Sequence, residues 1–397
     1  MSSAAAIAHP APAWLAERLR AAGGAVAFRT YMQWALHDPE HGAYGSGRLQ
    51  VGPRGDFATS PSLGPDFAGL LAPQIAQWLQ QQPAEQPLAL VEAGPGEGDL
   101  ALQLAQELAG GWPELAARTE LVLIEPNPGM ALRQRARLSA SPLPCRWLSW
   151  EELSVEPVCG VLLAHEVLDA LAVERIEWDG TLWRRQQVAL HEGAAAQPSL
   201  RLEPGEPLAP PELAQLDTLG LLQPGLQRPA GWCTELHPEQ APWLKQAAAG
   251  LDAGVLLVID YAHEAWRYYA PQRRQGTLMA YRQQQASDDP LRDPGHWDLT
   301  AHLCLESLES AAAGAGWQPL GQRRQGEALL ALGLAQRLHG LQQQAGAGLD
   351  ALLARREALL RLVDPHTLGD FRWVAFERAA ADGAACDNLF LQDPPLV

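Results

Sequence analysis

Three short apolar runs, Leu88–Glu92, Leu121–Glu125 and Val161–Ala164, alternate with stretches whose apolar positions recur at helical spacing. Such runs read as strands covered on both faces, and a strand-helix-strand-helix rhythm predicts an α/β fold built on a mostly parallel sheet. Ahead of that core, Trp14–Arg20, Val26–Leu36 and Phe67–Gln81 read as helices, with a Gly-, Pro- and Asp-rich loop, 37–66, before the third. Behind it the rhythm breaks. Arg175–Leu190, around the Asp179-Gly180 turn, predicts a β-hairpin, and the tract holding Pro204, Pro207, Pro210 and Pro211 reads as an insertion. Val255–Asp260 and Phe371–Phe376 predict two further strands, with Ala- and Leu-rich helices between them. The helix-periodic tract 329–363 reads as packing or a subunit contact, so a homodimer is an expectation. The organisation that follows is an N-terminal accessory or lid module (1–87), the first half of an α/β core (88–173), an insertion for substrate recognition (174–245) and the second half of the core (246–397).

Composition narrows the chemistry. The chain has 397 residues and a formal net charge of −17, from 46 acidic and 29 basic side chains. That balance argues against a nucleic-acid groove, which needs a basic stripe. Lys245 is the sole lysine and lies in Trp-Leu-Lys-Gln, so there is no Walker A loop and no other lysine for a Schiff base. The five cysteines (145, 159, 233, 304 and 386) show no metal-ligand spacing, and no metal is expected. They fit a reducing compartment. No apolar run reaches the ~18–20 residues of a membrane helix, and the first residues lack a secretory pattern, so a cytoplasmic protein without membrane insertion is expected.

The chemistry concentrates at three predicted strand ends. The first run ends in Glu92 and leads into a loop with Gly94, Gly96 and Gly98, after which a helix begins near Asp99. Glycines let a ligand approach the backbone, and a helix start offers free N–H groups. The spacing is G-x-G-x-G, not the G-x-G-x-x-G of dinucleotide folds. Glu97 and Asp99 would crowd a pyrophosphate but tolerate a cationic sulfonium, which favours S-adenosylmethionine (SAM) over NAD. The second run ends in Glu125, placed to accept ribose hydroxyls. The third delivers His165, Glu166 and Asp169; a helical turn would set the two acids on one face, where they could grip a guanidinium or take its proton. A pocket-lining role is open to His302, in a predicted N-capped helix start at Asp298–His302, beside the plain reading of Asp298 or Thr300 as the cap.

Taken together, these segments resemble the MidA family. The resemblance is carried by Tyr31-Met-Gln-Trp-Ala-Leu-His-Asp-Pro-Glu-His-Gly-Ala-Tyr44, Gly55-Asp-Phe-Ala-Thr-Ser-Pro61, Glu92-Ala-Gly-Pro-Gly-Glu-Gly98, Glu125-Pro-Asn-Pro128, Glu166-Val-Leu-Asp-Ala-Leu171, Ile259-Asp-Tyr261, Gly276-Thr-Leu-Met-Ala-Tyr-Arg282 and Asp298-Leu-Thr-Ala-His302. It implies a class I, Rossmann-like SAM-dependent methyltransferase that modifies arginine on a protein, by analogy a subunit of a complex I-like NADH dehydrogenase. It further implies that the loop with Asp56 and Thr59 folds over the cofactor, joining Glu92, Gly94, Gly96, Gly98 and Glu125. Glu166, Asp169 and His165 are then the catalytic candidates, with His165, in place of the family's usual Asn, as a proton acceptor of ordinary pKa near ~6.5. A non-catalytic assembly factor and a nicotinamide-dependent oxidoreductase are the competing readings.

Overall fold

The computed structural model describes residues 9–49, 52, 55–56, 58–192, 197–223, 228–343, 348–378 and 388–395. The chain divides into two compact units. One comprises Val51–Leu168, Ala241–Ala262 and Glu309–Val397; the other comprises Met1–Gln50, Asp169–Gln240 and His263–Leu308. This redistributes the four segments expected from sequence. Residues 51–87 belong with the α/β core, whereas 1–50 and 263–308 join the inserted region.

The α/β unit holds seven strands: β1 (Leu88–Ala93), β2 (Thr119–Ile124), β3 (Cys145–Leu148), β4 (Val158–His165), β5 (Leu251–Asp260), β6 (Gln318–Arg324) and β7 (Arg372–Arg378). They lie in the order β3-β2-β1-β4-β5-β7-β6. The first five are mutually parallel, and β7 runs antiparallel to both β5 and β6. The expected α/β class is therefore present. From β1 the chain moves outward to β2 and β3, then returns to the other side of β1 for β4. The carboxyl ends of β1 and β4 thus form the switch point, where open α/β sheets bind ligands.

Helices α1 (Asp66–Gln80) and α2 (Asp99–Gly111) pack on this sheet. Their apolar residues fall at helical spacing: Phe67, Leu71, Ile75 and Trp78 on α1, Leu100, Leu104 and Leu108 on α2, all buried. Further helices of this unit include α3 (Pro128–Arg137), α4 (Trp150–Val155), α5 (Gln325–Ala331) and α6 (Leu349–Val363). The start of α1 is fastened to the C-terminal helices by a charge cluster. Asp66 accepts hydrogen bonds from Arg337 Nη1 (2.8 Å) and, bidentately, from Arg355 Nε and Nη2 (2.7 Å each). Gly69 makes room, since a Cβ there would lie 2.5 Å from Arg337 Nη1. Burial raises the Asp66 pKa, but Arg355 and Arg337 outweigh it and hold the carboxyl below its usual range. A depressed carboxylate stabilises the fold above its unfolded pKa, and that stability is lost as pH falls through the folded value. Asp66→Ala should cost about 2 kcal/mol at pH 7, less than for a fully buried pair because Arg355 is partly exposed. In urea denaturation the gap between the two chains should narrow below about pH 4. An equal gap at both pH values would show that packing, not charge, holds this corner.

In the other unit an antiparallel sheet runs His9–Pro10, Ser199–Pro207, Trp183–His191, Glu174–Trp178, Trp232–Leu236, with Ala25–Ala27 also paired to Trp183–His191. The predicted hairpin is present, pairing Ile176 with Arg185 and Trp178 with Trp183. Its turn is tied by Asp179, whose Oδ1 accepts from the backbone of Thr181 and Leu182 (2.8 Å each). Two local expectations change. Val26 lies in a strand, because 25–27 finds an edge on 187–189, and the helix spans Phe28–His37. Asp298–Thr300 is a strand, not a helix start, because Tyr281 and Asp298 pair across it.

Candidate active site

At the end of β1, Glu92 is buried and its Oε2 accepts no hydrogen bond among the described residues. Burial pushes its pKa up to about 8; a backbone hydrogen bond at Ala101 pulls it down and the charge of Asp99 adds to the rise. The chain then turns through Gly94, Gly96 and Gly98, with φ of 60°, 54° and 84°. These left-handed values favour glycine and leave backbone open to a ligand. The turn is close-packed on its inner side: a Cβ at Gly94 would sit 3.0 Å from Val167 Cγ2, just after β4. Gly98 then caps α2.

At the end of β2, Glu125 accepts from the Asn127 backbone N–H through Oε1 (2.8 Å) and from Gln134 Nε2 through Oε2 (2.9 Å). Burial raises its pKa, and the Asn127 and Gln134 bonds oppose the rise. Helix α3, which Asn127 caps, also holds the glycine loop from outside. Arg133 pairs bidentately with Glu97 (3.1 and 3.0 Å), and Arg137 pairs with Asp99. Glu97 and Asp99 are therefore committed to arginines and, so neutralised, do not by themselves select SAM over NAD.

At the end of β4, Glu166 has φ 53°, one of four non-glycine residues in the left-handed region among those described. Its side chain is 11% exposed. Three hydrogen bonds hold the strained conformation: its N–H donates to Ile259 O (2.9 Å), and Asp260, buried on β5, accepts through Oδ2 from the N–H groups of Val167 (3.3 Å) and Leu168 (3.0 Å). Strain of this kind costs about 1–3 kcal/mol and gathers at functional sites. The expected helical turn from Glu166 to Asp169 is absent; the segment bends instead. His165 differs from expectation too. It is buried, edge-on to Phe67 (5.4 Å between ring centroids), and burial pushes its pKa down to about 3. A neutral imidazole so reluctant to protonate is a poor proton acceptor, which counts against the expected role of His165.

The remaining candidates lie in two places. Thr59, in the α/β unit, is buried and caps a short 3-10 turn, Ser60–Leu63. That turn is tied to α2 by Gln103 Nε2 donating to Pro61 O (3.3 Å) and to α5 by Gln325 Nε2 donating to Ser60 Oγ (3.2 Å). The loop thus meets the helix that starts at the glycine turn; Asp56 is described, whereas Phe57 lies outside the described residues. In the other unit, Asp169 is buried, its carbonyl accepts from Ala301 N (2.9 Å), and burial raises its carboxyl pKa to about 7. His302 is engaged with His263 (Nδ1 to Nε2, 3.1 Å), and its N–H donates to Thr277 Oγ1 (3.1 Å). Gln134, which the sequence reading missed, could have been found as the one polar member of the buried stripe Met130, Gln134, Leu138.

Comparison with known proteins decides the family. Residues 70–323 match a family described as S-adenosyl-L-methionine-dependent methyltransferases. The chain belongs to that family. A solved COG1565 superfamily structure from Burkholderia thailandensis, with S-adenosyl-homocysteine bound, superimposes with a TM-score of 0.83 at 30% identity, covering 96% of this chain and 95% of that one. The Drosophila melanogaster protein named "Protein arginine methyltransferase NDUFAF7 homolog, mitochondrial" is 27% identical over 370 residues, 85% of this chain and 81% of its own. The Danio rerio protein named "Protein arginine methyltransferase NDUFAF7, mitochondrial" is 26% identical over 315 residues.

The chain is accordingly a SAM-dependent methyltransferase, and the oxidoreductase and non-catalytic readings fall. Its residues fit the cofactor: a buried Glu92 carboxylate oxygen with no hydrogen-bond partner among the described residues, a glycine cradle and a second strand-end carboxylate on Glu125. The cytoplasmic expectation is corrected, because the curated relatives carry mitochondrial names. Cysteine usage speaks only for a reducing compartment and does not choose among such compartments. No helix among the described residues is long and apolar enough to cross a membrane.

Proposed function

We propose that this methyltransferase modifies an arginine side chain of a protein, with Glu166 as the carboxylate that meets the guanidinium. The observation that carries the reading is Glu166 itself, a mostly buried acid held at φ 53° where β4 ends, next in sequence to the Val167 that packs on the glycine loop. The names of the curated relatives support the arginine acceptor. Bound SAM supplies a methyl carbon on a cationic sulfur, open to in-line displacement. Arginine is protonated at neutral pH, with a pKa above ~12, so its nitrogen must lose a proton as the new N–C bond forms and the C–S electron pair returns to sulfur. A carboxylate beside that nitrogen orients the planar cation and accepts the proton. Asp169 is a second candidate, tested separately as Asp169→Asn. The substrate we propose is a subunit of a complex I-like NADH dehydrogenase, on the strength of the family resemblance. Mass spectrometry of such subunits after incubation with enzyme and SAM should find a 14 Da increment on arginine; increments confined to lysine would sink the acceptor assignment.

On the cofactor side, Glu92, Gly94, Gly96, Gly98 and Glu125 would hold SAM, with Asp56 and Thr59 in a loop over it. At pH 7 the ligand-free Glu92, with its pKa of about 8, is mostly protonated. A cationic ligand favours the carboxylate, so binding should release a proton. Between pH 6 and 7.5, below the ~8 of an α-ammonium group, SAM affinity should rise with pH, by at most about tenfold per unit. Titration calorimetry in buffers of different ionisation heat reads the released proton directly. A pH-independent affinity would remove Glu92 from the cofactor's surroundings.

A further inference from the structure

We propose that Gln134 is a positioning residue for SAM, setting the ribose-facing carboxylate and the glycine loop in one rigid arrangement. Its side chain is fully buried in α3, where an apolar residue would ordinarily sit between Met130 and Leu138. A buried primary amide must use its donors and acceptor or lose the cost of desolvating them. Gln134 uses all three. Nε2 donates to Gly96 O (2.8 Å) and to Glu125 Oε2 (2.9 Å), and Oε1 accepts from Trp147 Nε1 (3.0 Å). The orientation of the amide is not ambiguous, because an indole N–H only donates and a carbonyl only accepts.

The three partners come from three successive strand ends: the loop after β1, the residue after β2, and β3 itself. One side chain therefore couples the position of Gly96 to that of Glu125. Neither group could hold its place as firmly alone. Gly96 is a glycine in the left-handed region, with wide conformational freedom, and Glu125 is a flexible carboxylate whose two oxygens must be aimed. Trp147 in turn fixes the amide and is itself covered by the Arg135 guanidinium, 4.2 Å from its ring centroid. Groups that orient direct ligand contacts in this way affect affinity without touching the ligand.

The inference concerns the SAM site alone and stands or falls apart from the arginine acceptor, so its test uses S-adenosyl-homocysteine (SAH) as the probe and reads affinity by calorimetry. Gln134→Met keeps the shape and removes every polar contact; Gln134→Glu keeps the oxygen that Trp147 donates to and removes both donors. Each should weaken SAH at least about tenfold while the chain stays folded. Trp147→Phe should weaken SAH in the native background and have no further effect on top of Gln134→Met, because it acts through the amide. Affinity within twofold of the native protein in either Gln134 variant overturns the proposal. So does an additive effect of Trp147→Phe, which would make both residues mere packing. A chain that folds only with glutamine at this position also counts against it, since the amide would then serve folding rather than the ligand.

Discussion

Gly96→Val should abolish SAM binding in a chain that still folds, with affinity weakened at least about 100-fold, or about 2.7 kcal/mol. Gly96 has φ 54°, where a β-branched residue is a genuine outlier. Valine either pulls the loop out of the left-handed region or places a branched side chain where ligand must pass. In the first case the carbonyl that Gln134 binds moves, and Glu125 loses its brace. The apolar core on α1 and α2 does not depend on the conformation of that loop, so thermal unfolding should stay cooperative, within a few degrees of the native chain. Gly96→Ala, with a smaller strain, should fall between the two. A valine variant with native SAM affinity would place the cofactor elsewhere.

Glu166→Gln should retain SAM binding within about twofold and lose methyl transfer by about 100-fold to 10,000-fold, the range typical of a positioned proton acceptor. The substitution is nearly isosteric. The bonds that hold the left-handed turn are donated by main-chain N–H groups to Ile259 O and Asp260 Oδ2, and they survive it. What disappears is the negative charge that would hold a guanidinium and receive its proton. Asp169→Asn offers the contrast: with a carboxyl pKa of about 7, Asp169 is already partly neutral at pH 7, so a smaller loss is expected there. If Glu166→Gln turned over at the native rate on the true substrate, the acid at the end of β4 would serve structure only.

The α/β core was legible because its signals are local. Continuous apolar runs mark β1, β2, β4 and β5, and the glycine loop follows β1 within a few residues. The edge strand β3 was missed because Cys145–Leu148 is short and only partly buried. The division into units was not legible, because it rests on pairings distant in sequence: Val26 with Val188, and His9 with Leu200. No local pattern announces such partners. Candidate residues divide the same way. Glu92, Glu125 and Glu166 stand at strand ends that periodicity locates. The aromatic cage around His165 depends on Phe67 and Phe371, some 100 residues before and 200 after it, and with it the fall in pKa. The arginines that neutralise Glu97 and Asp99 sit on α3, where sequence alone gave no reason to pair them.

The arrangement of the cofactor site is tested most directly by a crystal structure of the chain with SAH. Both ribose hydroxyls should lie within hydrogen-bond reach of Glu125, about 2.6–3.2 Å, with the glycine loop against the ligand and the sulfur facing the Glu166 turn. SAH bound away from the carboxyl ends of β1 and β4, or a Glu125 carboxylate turned from the ribose, would contradict it.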